Sequence, residues 1–218
     1  MCGRFTLTIS KEMIESELGI SISEYRESYN IAPTQSVLGM VGSDHGYRSG
    51  YFRWGLIPSW AKDASIGSRL INARSETIDE KRSFQPLLSR RRCAIIADSF
   101  YEWKREDGKK VPYRIMLNDK KVFTFAGLWD RWVKDGEEMV TCTILTTEPN
   151  NLMSEIHDRM PVILDEQCRE LWLDPAVEDK ELLKSILKPY DAEEMSFYQV
   201  SADVNNPRNN EASLIESV

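Results

Sequence analysis

Seven short runs rich in β-branched and aromatic residues crowd into residues 36–147, and this crowding fixes the fold class. They are SVLGMV (36–41), YRSGYFRW (47–54), CAIIA (93–97), SFYEW (99–103), PYRIML (112–117), VFTFAG (122–127) and MVTCTILTT (139–147). Runs of this length and composition read as strands. Asp107-Gly108 in KREDGKK and Asp135-Gly136 in VKDGEE supply hairpin turns between them. Helical patterns flank the strands at 10–18, with Ser10 as N-cap, and at about 79–89, 151–156, 165–173 and 178–188. Asp165 caps the fourth of these five, and Glu166 favours its positive end. Strands in the middle with helices between and after them predict an α+β chain. Its core is a curved, mostly antiparallel, barrel-like sheet surrounded by helices. With no repeats, linkers or low-complexity tracts, residues 1–218 read as a single domain.

Apolar residues make up 41% of the chain, enough for a substantial core. No run of about 18 apolar residues is present, so no membrane partner is expected. The N-terminus lacks a basic stretch followed by an apolar one, so no secretory leader is expected either. Cys2, Cys93, Cys142 and Cys168 are scattered without a CxxC pair, which predicts free thiols, no metal site and a cytoplasmic location. Net charge is −7, yet Arg48 to Arg114 holds 15 Lys or Arg against 8 Asp or Glu. A basic middle in an acidic chain suggests a local anion-binding face. The KREDGKK charges themselves read as a solvated loop.

Several polar stretches are poor structural filler. MCGRF places Cys2 behind a removable methionine; loss of Met1 would give a free α-amine and a thiol on adjacent carbons, a 1,2-aminothiol. A lone buried cysteine explains the same residue, and the residues alone leave both readings open. INARSET puts Asn72, Arg74 and Glu76 on one face if extended. SFYEWK sets Glu102 between two aromatics, where a carboxylate has either a raised pKa or a partner. His157 lies in IHDRMPVIL, at a helix end feeding a strand, and is either catalytic or structural. The other histidine, His45, falls in an exposed turn. YNIAPTQ, with Pro33, and WGLIPSWAKD, with Trp54 and Trp60, offer either core or a shelf for stacking nucleobases.

MCGRF, YNIAPTQ, WGLIPSWAKD, INARSET, ADSFYEWK, FAGLWDRW, CTILTTEPN and IHDRMPVIL occur in the order seen in the SRAP family, the SOS-response-associated peptidase-like proteins. The chain resembles that family from Met1 to about Asn210. The resemblance implies processing of abasic sites in single-stranded DNA, as part of DNA repair, through a covalent link to the N-terminal cysteine. It implies Cys2 as nucleophile, with Asn72, Glu102 and His157 as active-site partners. Arg4 and Arg74 match the family's phosphate contacts. No cofactor is implied, and a monomer is the default. Ser99 stands where family members often carry glycine, so the geometry just before Glu102 is expected to differ slightly.

The chemistry suits these residues. An open abasic sugar presents an aldehyde; an amine adds to give an imine, and a thiol closes a thiazolidine. With pKa values of about 7.7–8.0 for an α-amine and about 8.5 for a thiol, both groups are expected to be partly reactive at neutral pH. Glu102 is the expected general acid, Asn72 orients the amine, and His157 shuttles a proton or supports a phosphate. Removal of Met1 by self-processing and strand cleavage by β-elimination are expected side activities. Two other readings stand beside this one. An N-terminal-nucleophile glutamine amidotransferase or hydrolase also begins with cysteine, and would release glutamate from glutamine. A non-catalytic single-strand-binding module would bind reversibly, without an adduct.

Overall fold

The computed structural model describes residues 2–218. In chain order the strands are β1 (Phe5–Leu7), β2 (Ser28–Ile31), β3 (Ser36–Ser43), β4 (Gly46–Trp54), β5 (Asn72–Arg74), β6 (Arg92–Ala97) and β7 (Ser99–Glu106). They continue as β8 (Lys109–Leu117), β9 (Phe123–Lys134), β10 (Glu137–Thr147), β11 (Met160–Pro161), β12 (Ile163–Leu164) and β13 (Met195–Gln199). Three α-helices accompany them: α1 (Lys11–Leu18), α2 (Glu166–Leu173) and α3 (Lys180–Ser185).

Five strands close into a barrel. β3 pairs with β4 and β6, β6 with β9, and β9 with β10, all antiparallel. The ring is completed by a parallel contact that sets Thr141 and Cys142 of β10 against Arg53 and Trp54 of β4. Closure removes the free edges of an open sheet. A second, antiparallel sheet in the order β13-β8-β7-β1-β2 packs beside the barrel. β6 and β7 are separated only by Asp98, so one chain segment passes from the barrel into this sheet. β6 is buried along its whole length, being inside the barrel on one side and covered by α2 on the other.

The predicted local signals operate as read. Asp107 and Gly108 (φ 48° and 78°) and Asp135 and Gly136 (φ 51° and 84°) have the left-handed backbone of two-residue hairpin turns. The Ser10 side chain accepts from Met13 N and caps α1, and Asp165 does the same for α2 through Cys168 N. Residues 79–89 differ from expectation: they form successive turns, with Lys81 O and Phe84 O each accepting from two amides, instead of a regular helix. Their Phe84, Leu87 and Leu88 still turn into the core.

Phe5 is the aromatic hinge between the two layers. Its ring lies 5.2 Å from Trp54 and 5.6 Å from Phe125, which in turn meets Phe100 at 6.0 Å and Phe123 at 5.3 Å. Each fully buried ring of this kind contributes about 1.5–3 kcal/mol of transfer free energy. This overturns one expectation. Trp54 is fully buried, with its indole N–H donated to Ile71 O at 2.9 Å, so it belongs to the core and cannot stack on a base. No helix among the described residues is long and apolar enough to cross a membrane.

Candidate active site

Cys2 and Arg4 lie just upstream of β1, whose antiparallel register with β7 pairs Phe5 with Phe100 and Thr6 with Ser99. The same register, continued by the Tyr101 N–H bond to Arg4 O, carries the start of the chain alongside Glu102. Ser99 sits in this regular ladder, its hydroxyl accepting from Arg114 Nε at 2.8 Å. Beneath it, Asp98 anchors β1 by accepting from Thr8 N at 2.9 Å and from the hydroxyls of Thr6 and Thr8.

Glu102 is buried, with 2% of its surface exposed. Burial pushes its carboxyl pKa up to about 7. Such a carboxyl exchanges a proton readily at neutral pH. Cys2 is fully buried beside it, and its sulfur accepts the Arg4 backbone N–H. Burial, reinforced by the neighbouring Glu102, pushes the Cys2 thiol far up. Burial thus favours the protonated thiol, against the partial ionisation expected from its ordinary pKa.

His157 and Glu102 line one cleft of about 480 Å³ with Trp103, Arg105, Lys110 and Asn205. His157 enters it from the loop between β10 and β11. Its Nδ1 accepts the Arg159 backbone N–H at 3.0 Å, which places the proton of the neutral ring on Nε2. Asp158 Oδ1, 2.8 Å from the same nitrogen, serves the imidazolium instead. Burial lowers the His157 pKa and favours the neutral ring.

Asn72 does not line this cleft; it lies on β5, which runs parallel to β10 through the Ile144, Leu145 and Thr146 register. Its Nδ2 donates to Ile144 O at 3.4 Å, whereas its buried Oδ1 has no hydrogen-bond partner among the described residues. Asn72 lines a separate pocket with Arg74, Lys81, Phe84 and Thr146. Arg74 is exposed there. The predicted common face of Asn72, Arg74 and Glu76 ends at Arg74, because Ser75–Thr77 turns into a 3₁₀ segment. Glu76 instead holds Arg159 by two bonds of 2.7 and 2.9 Å, and Arg159 also donates to Thr146 O at 2.7 Å. This clamp ties INARSET to the His157 loop.

Arg4 is half-buried in the wall of the site. Its Nη1 donates to Asn30 Oδ1 at 2.7 Å and Val204 O at 2.6 Å, and its guanidinium lies over Trp103 at 5.7 Å. Asn30, almost wholly buried, also donates to the carbonyls of Val204, Asn206 and Asn209. Trp103 Nε1 donates to Asn205 Oδ1 at 2.6 Å. The loop after β13 is thereby pinned as a wall of the cleft. Pro33 and Trp60 line neither the cleft nor the pocket at Asn72. Pro33 is half-buried after β2, and Trp60 is exposed with Arg82 4.7 Å over its ring.

Sequence reading missed Asn30, Asn205, Arg105, Lys110 and the Glu76–Arg159 clamp. The signals were present in YNIAPTQ, VNNPRNN and the hairpin, but the partners lie up to 179 residues apart. Met1, whose removal is an expectation from the sequence, lies outside the described residues. Among the described residues no cluster of three His, Cys, Asp or Glu side chains could hold a metal ion.

A profile of the SOS response associated peptidase (SRAP) family matches residues 1–207. The "Abasic site processing protein YoqW" of Bacillus subtilis is 51% identical over the whole of both chains. The "Abasic site processing protein HMCES" of Gallus gallus is 36% identical, covering 85% of this chain and 64% of its own. A crystal structure of a protein from Bacteroides thetaiotaomicron superposes over the whole of both chains with a TM-score of 0.91 at 30% identity.

Proposed function

The chain belongs to the SOS response associated peptidase family, and from that premise we propose that it processes abasic sites in single-stranded DNA by forming a thiazolidine at Cys2. One observation carries the reading. A fully buried cysteine at the second position sits beside Glu102, a buried carboxyl with a pKa of about 7 that itself lines a cleft with His157.

The reaction begins when Met1 is removed and the Cys2 amine is free. The amine attacks the aldehyde carbon of the opened sugar. Protonated Glu102 gives its proton to the departing hydroxyl, so that water leaves and a protonated imine, an iminium that keeps its N–H, forms. Glu102 is now a carboxylate next to a thiol that burial keeps protonated. It takes that proton as sulfur bonds to the imine carbon, and the nitrogen of the closed ring ends neutral. A pKa near 7 lets the one carboxyl serve as acid and then as base. His157, with its proton on Nε2, can donate to the sugar ring oxygen or to a flanking phosphate. Asn72 offers a buried carbonyl oxygen without a partner among the described residues, suited to accepting a hydrogen bond from the amine. Arg4 and Arg74 supply positive charge beside the strand. β-Elimination from the imine is a side path that ring closure suppresses.

The test uses protein verified by mass to lack Met1. Mixed with an abasic single-stranded oligonucleotide, it should give a slow-migrating band on a denaturing gel. Protein retaining Met1 should bind the oligonucleotide and give none. A full-yield band from protein that keeps Met1 would sink the role of the amine.

A further inference from the structure

The KREDGKK hairpin between β7 and β8 divides its charges between two faces. On one face Lys104 pairs with Glu106 at 3.3 Å, and Glu106 lies opposite Lys109 and accepts the Tyr113 hydroxyl at 3.1 Å. Charge there is balanced. On the other face Arg105 stands directly opposite Lys110 in the ladder. Both are exposed, and among the described residues neither has an acidic side chain within ion-pair distance. Like charges opposed across antiparallel strands destabilise a hairpin. This pair lines the cleft that holds Glu102 and His157. Trp103, two residues before Arg105, shares its face and lies under the Arg4 guanidinium. A line of Arg4, Trp103, Arg105 and Lys110 thus leads from beside Cys2 toward the hairpin tip.

We infer that this hairpin face is a subsite for the phosphodiester backbone of the strand flanking the reacting sugar, with Arg105 and Lys110 each holding one phosphate. The inference rests on the reading that the cleft takes a sugar within a nucleic-acid strand. It gives the unfavourable Arg105–Lys110 pairing a ligand that relieves it. It also turns charges that read from the sequence as a solvated loop into part of the binding track.

An undamaged single-stranded oligonucleotide isolates the subsite from the covalent chemistry. Its affinity is measured by fluorescence anisotropy between 50 and 200 mM salt for the wild type, Arg105→Gln/Lys110→Gln and a control, Lys120→Gln/Lys121→Gln. The control removes the same charge just beyond the opposite end of β8. Each phosphate contact on a single strand contributes about 0.7 to the slope of log affinity against log salt. Loss of two should flatten the slope by about 1.4, so that the wild type loses about sevenfold more affinity than the variant over that range. The control should keep the wild-type slope, and thermal melting should show all three proteins folded. A hairpin variant with the wild-type slope, or one matched by the control, overturns the subsite. A flattened slope in a protein that forms no abasic adduct leaves the subsite standing and removes the covalent reading. An adduct with an unchanged slope does the reverse.

Discussion

Glu102→Gln should stabilise the protein while disabling it, and the stabilisation should depend on pH. A carboxyl with a folded pKa of about 7, against 4.5 for an ordinary glutamate, binds its proton more tightly in the native state. Below pH 4.5 both states are protonated and the charge costs the fold nothing. The penalty grows as pH rises from 4.5 to 7, because the unfolded chain ionises freely and the folded one does not; above 7 it is constant. Full development of the shift corresponds to about 3 kcal/mol, and the part that appears between pH 5 and pH 8 is about 2–3 kcal/mol. Glutamine has no such penalty. The stability gain of the variant over the wild type should therefore be larger at pH 8 than at pH 5 by that amount, or about 5–10 °C in melting temperature for a chain of this size. Urea unfolding at the two pH values measures it, and the difference between them cancels any change in hydrogen bonding. Crosslinking by the same variant should slow on the order of a hundred-fold. A stability difference independent of pH would refute the raised pKa. Wild-type crosslinking in the folded variant would remove Glu102 from the mechanism.

Cys2→Ser with Met1 removed keeps the amine and replaces the sulfur. It should form an imine that borohydride traps and little adduct that survives heating, since a hydroxyl closes the ring poorly; a heat-stable adduct at wild-type level without reductant would exclude a necessary thiol. Asn30→Ala removes the acceptor for Arg4 and the donor to three loop carbonyls. It should cost about 2 kcal/mol and raise amide exchange in residues 203–210, whereas unchanged exchange there would show that the loop is held by other contacts. Glu76→Gln breaks the two-bond clamp on Arg159 and should cost about 1 kcal/mol while slowing adduct formation through the His157 loop; normal crosslinking would confine the clamp to a structural role.

What could be read from the sequence was what local residues decide. The Asp-Gly turns and the Ser10 and Asp165 caps act within three or four residues, so the hairpins, α1 and α2 were legible. The barrel's closure was not, because it depends on parallel pairing of β4 with β10 across about ninety residues and no local pattern records a partner. Trp54 was ambiguous for a related reason: a tryptophan among prolines reads alike as shelf or core until its neighbours Phe5 and Ile71 are known. Within the site, Glu102 was legible because a carboxylate between aromatics is costly wherever it lies. The protonated state of the Cys2 thiol was not, since it follows from complete burial beside Glu102. Asn30 and the clamp on Arg159 were missed because each joins segments remote in the chain.

The central claim is that amine and thiol of Cys2 both bond to one sugar carbon, and counting thiols on the purified adduct tests it most directly. The chain has four cysteines, at positions 2, 93, 142 and 168. The adduct is denatured without reductant and alkylated, and the N-terminal peptide is examined by mass. A thiazolidine predicts a peptide beginning at Cys2, bearing the sugar at the expense of one water, with Cys2 unalkylated and Cys93, Cys142 and Cys168 all alkylated. An adduct in which Cys2 is alkylated, in which the peptide still begins with Met1, or in which the sugar is carried by another residue, would contradict the account.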